Sequence, residues 1–166
     1  MTDSVLPQDI VDLARRVVEE NAKVGRMVAT AESCTGGLVA AALTEIPGSS
    51  AVVDRGFVTY SNEAKQESLG VSSELIETFG AVSVACVWAM AHGALEHSNA
   101  DVAVAISGIA GPDGGSELKP VGTVVFAKAV RGADGEPEGE MKLFEGQSRS
   151  EVRRHATLWA LELLLP

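Results

Sequence analysis

The sequence predicts an α/β protein, a single-domain sandwich whose mixed, mostly parallel sheet is flanked by helices. Three observations carry this. Helix-like and strand-like segments alternate through the early part of the chain, the order expected of parallel crossovers. Two strand-like segments adjoin later, across a connection too short for a parallel crossover, so they are expected to pair antiparallel. One segment, Asp101 to Ser107, is apolar almost throughout, as in a strand buried on both faces.

Taken in order, Gln8 to Asn21 places Ile10, Leu13, Ala14, Val17 and Val18 on one stripe of an amphipathic helix. Lys23 to Arg26 turns into a strand beginning Met27-Val28-Ala29. The turn Ala31-Glu32-Ser33-Cys34-Thr35-Gly36-Gly37 leads into a helix over Leu38 to Leu43, stopped near Pro47-Gly48. Ala51 to Tyr60, rich in Val and Phe, reads as a strand in which Gly56 marks a bulge or a close backbone approach. Ser61 caps a short helix that Gly70 ends; Ser72 and Ser73 open another, closed by Gly80. Ser83 to Asn99 is a helix with many small residues, suited to close packing on a sheet or on a partner. Gly108 to Pro120 is a Gly- and Pro-rich loop and Val121 to Val130 the next strand. A polar connection over 131–139 leads to a strand at Glu140 to Phe144. Ser148-Arg149-Ser150-Glu151 matches a capping box, so the last helix should run from Arg149 to about Leu164.

Composition excludes several classes of function. The 166 residues fit one domain, 1–166, and 46% hydrophobic content supplies a core. Aromatics are 4%, so that core is aliphatic. Net charge is −10, which opposes broad nucleic-acid binding. A small anion then needs its own cluster of positive charge. No apolar run reaches the roughly 20 residues of a membrane span, and Met1 to Ser4 has no signal-peptide character; a cytoplasmic protein is expected. Cys34 and Cys86 form no disulfide framework, and His92, His97 and His155 lack zinc spacing. Neither metal nor cofactor is expected.

Three segments bring unusual residues to the ends of predicted strands: the Ser33 turn, Thr59 to Lys65, and Ser107 to Gly115. Loops at one edge of an α/β sheet can converge on a single crevice. Each also has a plain structural reading. Ser33 or Thr35 could simply cap the following helix, and the Gly-rich segment lacks P-loop spacing. Lys65 sits in a polar helix, where a solvated lysine is the default. His155 reads as a surface residue of the last helix.

The segments AESCTGG, GFVTYSNEAK and SGIAGPDGGSELKPVGTV resemble the CinA C-terminal domain family, and within it the stand-alone nicotinamide-nucleotide amidases. The resemblance covers the chain from about Val28 through the last helix. It implies hydrolysis of nicotinamide mononucleotide to nicotinate mononucleotide and ammonia, in pyridine nucleotide recycling, without metal or cofactor. It implies Ser33 as nucleophile, Lys65 as base, and Tyr60 as a group that orients or polarises the reacting atoms. Thr35, Gly36, Ser107 and Gly108 are then expected to contact substrate, Ser107 keeping the hydroxyl where many relatives carry threonine. Arg149 matches an arginine expected near the phosphate, with Arg153 and Lys119 as competing choices. Oxyanion donors are expected at the start of the helix after Gly36-Gly37. The resemblance and the small-residue helix suggest a homodimer; nucleic-acid and membrane partners are not expected. Two alternatives stand beside this: a cysteine amidase using Cys34, and a non-catalytic nucleotide-binding module linked to competence or DNA damage.

Overall fold

A computed structural model describes residues 3–134 and 138–166. Five strands form one sheet in the order β2-β1-β3-β4-β5. The strands are β1 (Val28–Glu32), β2 (Val53–Val58), β3 (Val102–Gly108), β4 (Thr123–Val130) and β5 (Glu138–Leu143). β1 pairs parallel with both β2 and β3; β4 pairs antiparallel with β3 and with β5. Only β4 therefore runs against the common direction, and the sheet is mixed with a parallel core. The last strand begins at Glu138, two residues before its predicted start. Of the connection before it, Arg131 to Asp134 are exposed, and 135–137 lie outside the described residues.

Six helices flank the sheet: α1 (Gln8–Lys23), α2 (Leu38–Thr44), α3 (Asn62–Leu69), α4 (Ser73–Phe79), α5 (Val84–Glu96) and α6 (Arg149–Leu163). The predicted Ser61 cap and Ser148 capping box hold, and Ser72 and Ser83, read as the openings of their helices, serve as N-caps. Ser61, Ser72 and Ser83 accept N–H bonds at the starts of α3, α4 and α5, and Ser148 with Glu151 forms the capping box of α6. The predicted Ala51–Tyr60 strand is shorter at both ends, Val53–Val58, and Ala51 instead closes a 3-10 turn, Ser49–Ala51. The register shift against β1 falls beside Asp54, between Val53 and Arg55. Gly56 marks a close approach: a Cβ there would meet Thr30 Oγ1 at 2.7 Å.

Strand alternation splits the core into two unlike halves. Val28, Val102, Val104, Ile106, Val124 and Phe126 face α1, α2 and α6. The opposite face carries Ala29, Ala31, Ala103, Ala105, Ala127 and Ala129, and receives α5. Alanines across three strands let a backbone come close, and α5 answers with its own small residues, Ala91, Gly93 and Ala94, all buried. At Gly93 an added Cβ would lie 2.0 Å from the Leu69 carbonyl oxygen, so the end of α3 rests directly on α5. Ala91, Gly93 and Ala94 are thus used inside the chain, while Ala85 and Ala89 are half-buried.

Candidate functional site

The carboxyl ends of the three parallel strands β1, β2 and β3 lie at one edge of the sheet, where ligands of open α/β sheets bind. A crevice of about 330 Å³ opens there. Ser33, Tyr60, Lys65, Ser107, Gly108 and Arg149 all line it. Strand pairing continues past the strand ends and fixes the edge: Ser33 N–H donates to Ile106 C=O at 2.9 Å, and Thr59 N–H donates to Glu32 C=O at 2.9 Å.

Lys65 is the main departure from the local pattern. Its side chain is 1% exposed, not solvated. It shares the inward face of α3 with Leu69, one turn on. The amine donates to the carbonyls of Thr59 (2.8 Å) and Tyr60 (3.3 Å), and its nitrogen lies 2.9 Å from Ser33 Oγ. Two carbonyls and one hydroxyl thus surround the Lys65 nitrogen within hydrogen-bond distance. Among the described residues, no ion pair involves Lys65. Burial pushes its pKa below the usual lysine value.

Ser33 is 7% exposed and Cys34 5%. The neighbouring thiol is a poor competitor. Burial, above all, pushes its pKa up to about 11, so it stays protonated at neutral pH and the more reactive thiolate is scarce. Packing fixes it too, since a Cβ on Gly108 would meet Cys34 Sγ at 3.1 Å.

The turn departs from its reading as a helix cap and from part of the expected set of contacts. Neither Ser33 nor Thr35 caps α2, whose N-cap is Gly37 with no side-chain bond. The buried Thr35 hydroxyl donates to Glu32 Oε1 at 2.7 Å, and neither Thr35 nor Gly36 lines the crevice. The N–H groups at the start of the helix, expected as oxyanion donors, bond within the protein: Leu38 N–H to Thr35 C=O at 3.1 Å, and those of Val39 and Ala40 to Glu32, while Gly36 N–H donates to Ser33 C=O at 3.0 Å. Glu32, buried beside the turn, was not singled out from the sequence. A carboxylate at an inward position of an apolar strand was the available signal.

Arg149 and Arg153 divide clearly. Arg149 Nη1 donates to Gly111 C=O at 2.7 Å and Nη2 to the Tyr60 hydroxyl at 3.1 Å, at the rim of the crevice. Arg153 stands behind the turn, donating to the carbonyls of Cys34 and Thr35. Lys119 donates to Phe79 C=O at 2.9 Å and does not line the crevice. The Tyr60 hydroxyl meets Arg149, and it is the Tyr60 backbone carbonyl that meets Lys65. Among the described residues no group of three or more His, Cys, Asp or Glu could hold a metal, and no helix is long and apolar enough to cross a membrane. His155 leaves the site altogether. It bonds Gln147 and stacks on Phe144 in a separate apolar hollow beside Trp159.

These features describe an α/β protein with a polar crevice at the carboxyl edge of its parallel strands, holding a hydroxyl against a buried amine. The chain belongs to the CinA family: the model of the CinA C-terminal domain matches residues 10–166. It is 54% identical over 164 residues to the nicotinamide-nucleotide amidohydrolase PncC of Escherichia coli (strain K12), covering 99% of this chain and 95% of that protein. It is 49% identical over 165 residues to a CinA-like protein of Mycobacterium marinum, and spans 37% of that longer protein. Among solved structures, the competence/damage inducible protein CihA from Agrobacterium tumefaciens superposes with a TM-score of 0.92 at 53% identity, over 97% of this chain and 96% of that one.

Proposed function

We propose that this protein hydrolyses the carboxamide of nicotinamide mononucleotide, giving nicotinate mononucleotide and ammonia, with Ser33 as nucleophile and Lys65 as general base. The observation that carries the reading is the 2.9 Å contact between Ser33 Oγ and the buried amine of Lys65. A serine hydroxyl is a weak nucleophile until a base takes its proton, and an amine can do so only when neutral, the form that burial favours.

In this mechanism Ser33 Oγ attacks the carboxamide carbon as its proton passes to Lys65 Nζ. The tetrahedral intermediate collapses, the C–N bond breaks, and Lys65 returns the proton to the departing nitrogen, which leaves as ammonia. Water then attacks the acyl ester, giving one proton to Lys65, which passes it to Ser33 Oγ as the ester bond breaks; the nicotinic acid formed loses its remaining proton to the ammonia or to solvent and leaves as the carboxylate. Ser107 and Gly108 lie on the β3 side of the crevice, and Arg149 supplies the positive charge that a phosphate needs in a chain of net charge −10. The Tyr60 hydroxyl acts by holding Arg149.

Ammonia release from nicotinamide mononucleotide by the purified chain tests this directly, and no release above background rejects it. A nucleotide-binding module without catalysis would bind the compound and leave it unchanged. The homodimer implied by family resemblance would double the 17.2 kDa chain mass in light scattering.

A further inference from the structure

Ser33 is the first residue beyond β1, and its neighbour Glu32 ends that strand against the start of α2. Glu32 is 0% exposed, and a carboxylate is buried in this way only when its oxygens are well bonded. It accepts from the Thr35 hydroxyl at 2.7 Å and from the N–H groups of Val39 and Ala40 at 2.9 and 3.1 Å. Glu32 therefore caps α2 from the strand before it, with its charge toward the positive end of the helix. Arg153, from α6, takes the complementary groups of the same turn. Its Nε donates to Cys34 C=O at 3.0 Å and its Nη2 to Thr35 C=O at 3.4 Å. Neither residue lines the crevice.

We infer that Glu32 and Arg153 are positioning residues for the reaction, acting on the Ser33 turn as a pair: the carboxylate holds its donors, the guanidinium its acceptors. The inference rests on the Ser33–Lys65 reading. Gly36 and Gly37 give the turn positive φ values of 59° and 104°, and glycine backbone, conformationally permissive, depends on its bonding for a single geometry. In a trans peptide the C=O of one residue and the N–H of the next point in opposite directions. Anchoring the Cys34 carbonyl on Arg153 thus fixes the direction of the Thr35 N–H, and anchoring Thr35 on Glu32 fixes the next plane. Transition-state stabilisation depends on such groups being set before charge develops.

The test compares wild type with Glu32→Gln, Arg153→Met, Thr35→Val and Thr35→Ser. Three quantities are read: kcat and KM for nicotinamide mononucleotide, the rate at which a small fluorophosphonate labels Ser33, and Tm. Misplacement of a reacting group by about 1 Å can cost about a hundredfold. Glu32→Gln and Arg153→Met should therefore lower kcat about ten- to hundredfold, with KM within about twofold of wild type. Labelling should slow in parallel, and Thr35→Ser should recover what Thr35→Val loses. Should Glu32→Gln not fold, the Thr35 pair carries the test, since it removes and restores one hydroxyl. Unchanged kcat and labelling in folded variants, or a loss confined to KM, overturns the inference while leaving an active wild type and its dyad intact. A wild type that neither releases ammonia nor takes the label overturns the dyad as well.

Discussion

Arg149 joins the Tyr60 hydroxyl, 3.1 Å away, to the far side of the crevice, where its other terminal nitrogen meets Gly111 C=O at 2.7 Å. One guanidinium at the start of α6 therefore spans two strand-end loops. If it also holds the phosphate, Arg149→Ala should harm the nucleotide far more than nicotinamide riboside, which lacks that group. A hydrogen bond to a charged group contributes about 1.5–3 kcal/mol, so kcat/KM for the nucleotide should fall about ten- to hundredfold. Equal losses on both substrates would show that Arg149 acts only by bridging the loops. Arg153, behind the turn, is expected to give such equal losses.

Ser33→Ala should lower turnover by at least about 10³-fold, because the groups that remain can only bind and orient the substrate. Cys34→Ala should keep most of it, at a packing cost of about 1 kcal/mol. Ammonia release by the two purified variants, each checked for its fold by circular dichroism, decides between hydroxyl and thiol. Activity that survives in Ser33→Ala and vanishes in folded Cys34→Ala would reverse the assignment.

Lys65 should set the acid limb of the pH profile. A base must be deprotonated, so kcat/KM of the wild type should rise with pH through the depressed pKa of Lys65 and then level. Lys65→Arg should be inactive across the range. Stability carries the same sign. Between the folded pKa and the unfolded value of about 10.4, the unfolded chain binds the extra proton, so stability rises with pH in that window. Below the folded pKa both states are protonated and this slope disappears. Denaturant midpoints of Lys65→Met should lack the rise; an identical slope in both proteins would contradict a depressed lysine.

Gly93→Ala probes the link between core and crevice. Its Cβ would overlap the Leu69 carbonyl oxygen at the end of α3, the helix that carries Lys65. Overpacking of this kind costs about 1–3 kcal/mol, or about 3–10 °C in Tm at this chain length. Turnover should fall as well, although no crevice residue has changed. A variant that loses stability while keeping wild-type kcat would show that α3 absorbs the overlap without moving its lysine.

Element order was legible because local signals and burial agree here. Ser61, Ser72, Ser83 and Ser148 announce the helices they cap, and the apolar stretch 101–107 announces the central strand. The homologous motifs also pointed to Ser33 and Lys65. What local pattern could not supply was depth. Lys65 belongs to a helix whose only other buried residue is Leu69, too little apolar surface for periodicity to mark an inward face. Thr35 looked like a cap because a hydroxyl beside a helix start usually is one. Its true partner is the preceding glutamate, a choice fixed by which way β1 is turned, and that depends on pairing with strands remote in sequence.

The end of β1 has one last consequence. Glu32 ends β1 and Ser33 is the first residue beyond it, so two neighbours in the chain serve different places: one bonds the start of α2, the other lines the crevice. The strand end works as a bulkhead: the crevice opens at the carboxyl edge, while the bracing by Glu32 stands on the α2 side, outside the crevice lining. A compound that fills the crevice competes with substrate and leaves the bracing untouched. A compound wedged between α2 and the strand would slow turnover without competing for the crevice at all.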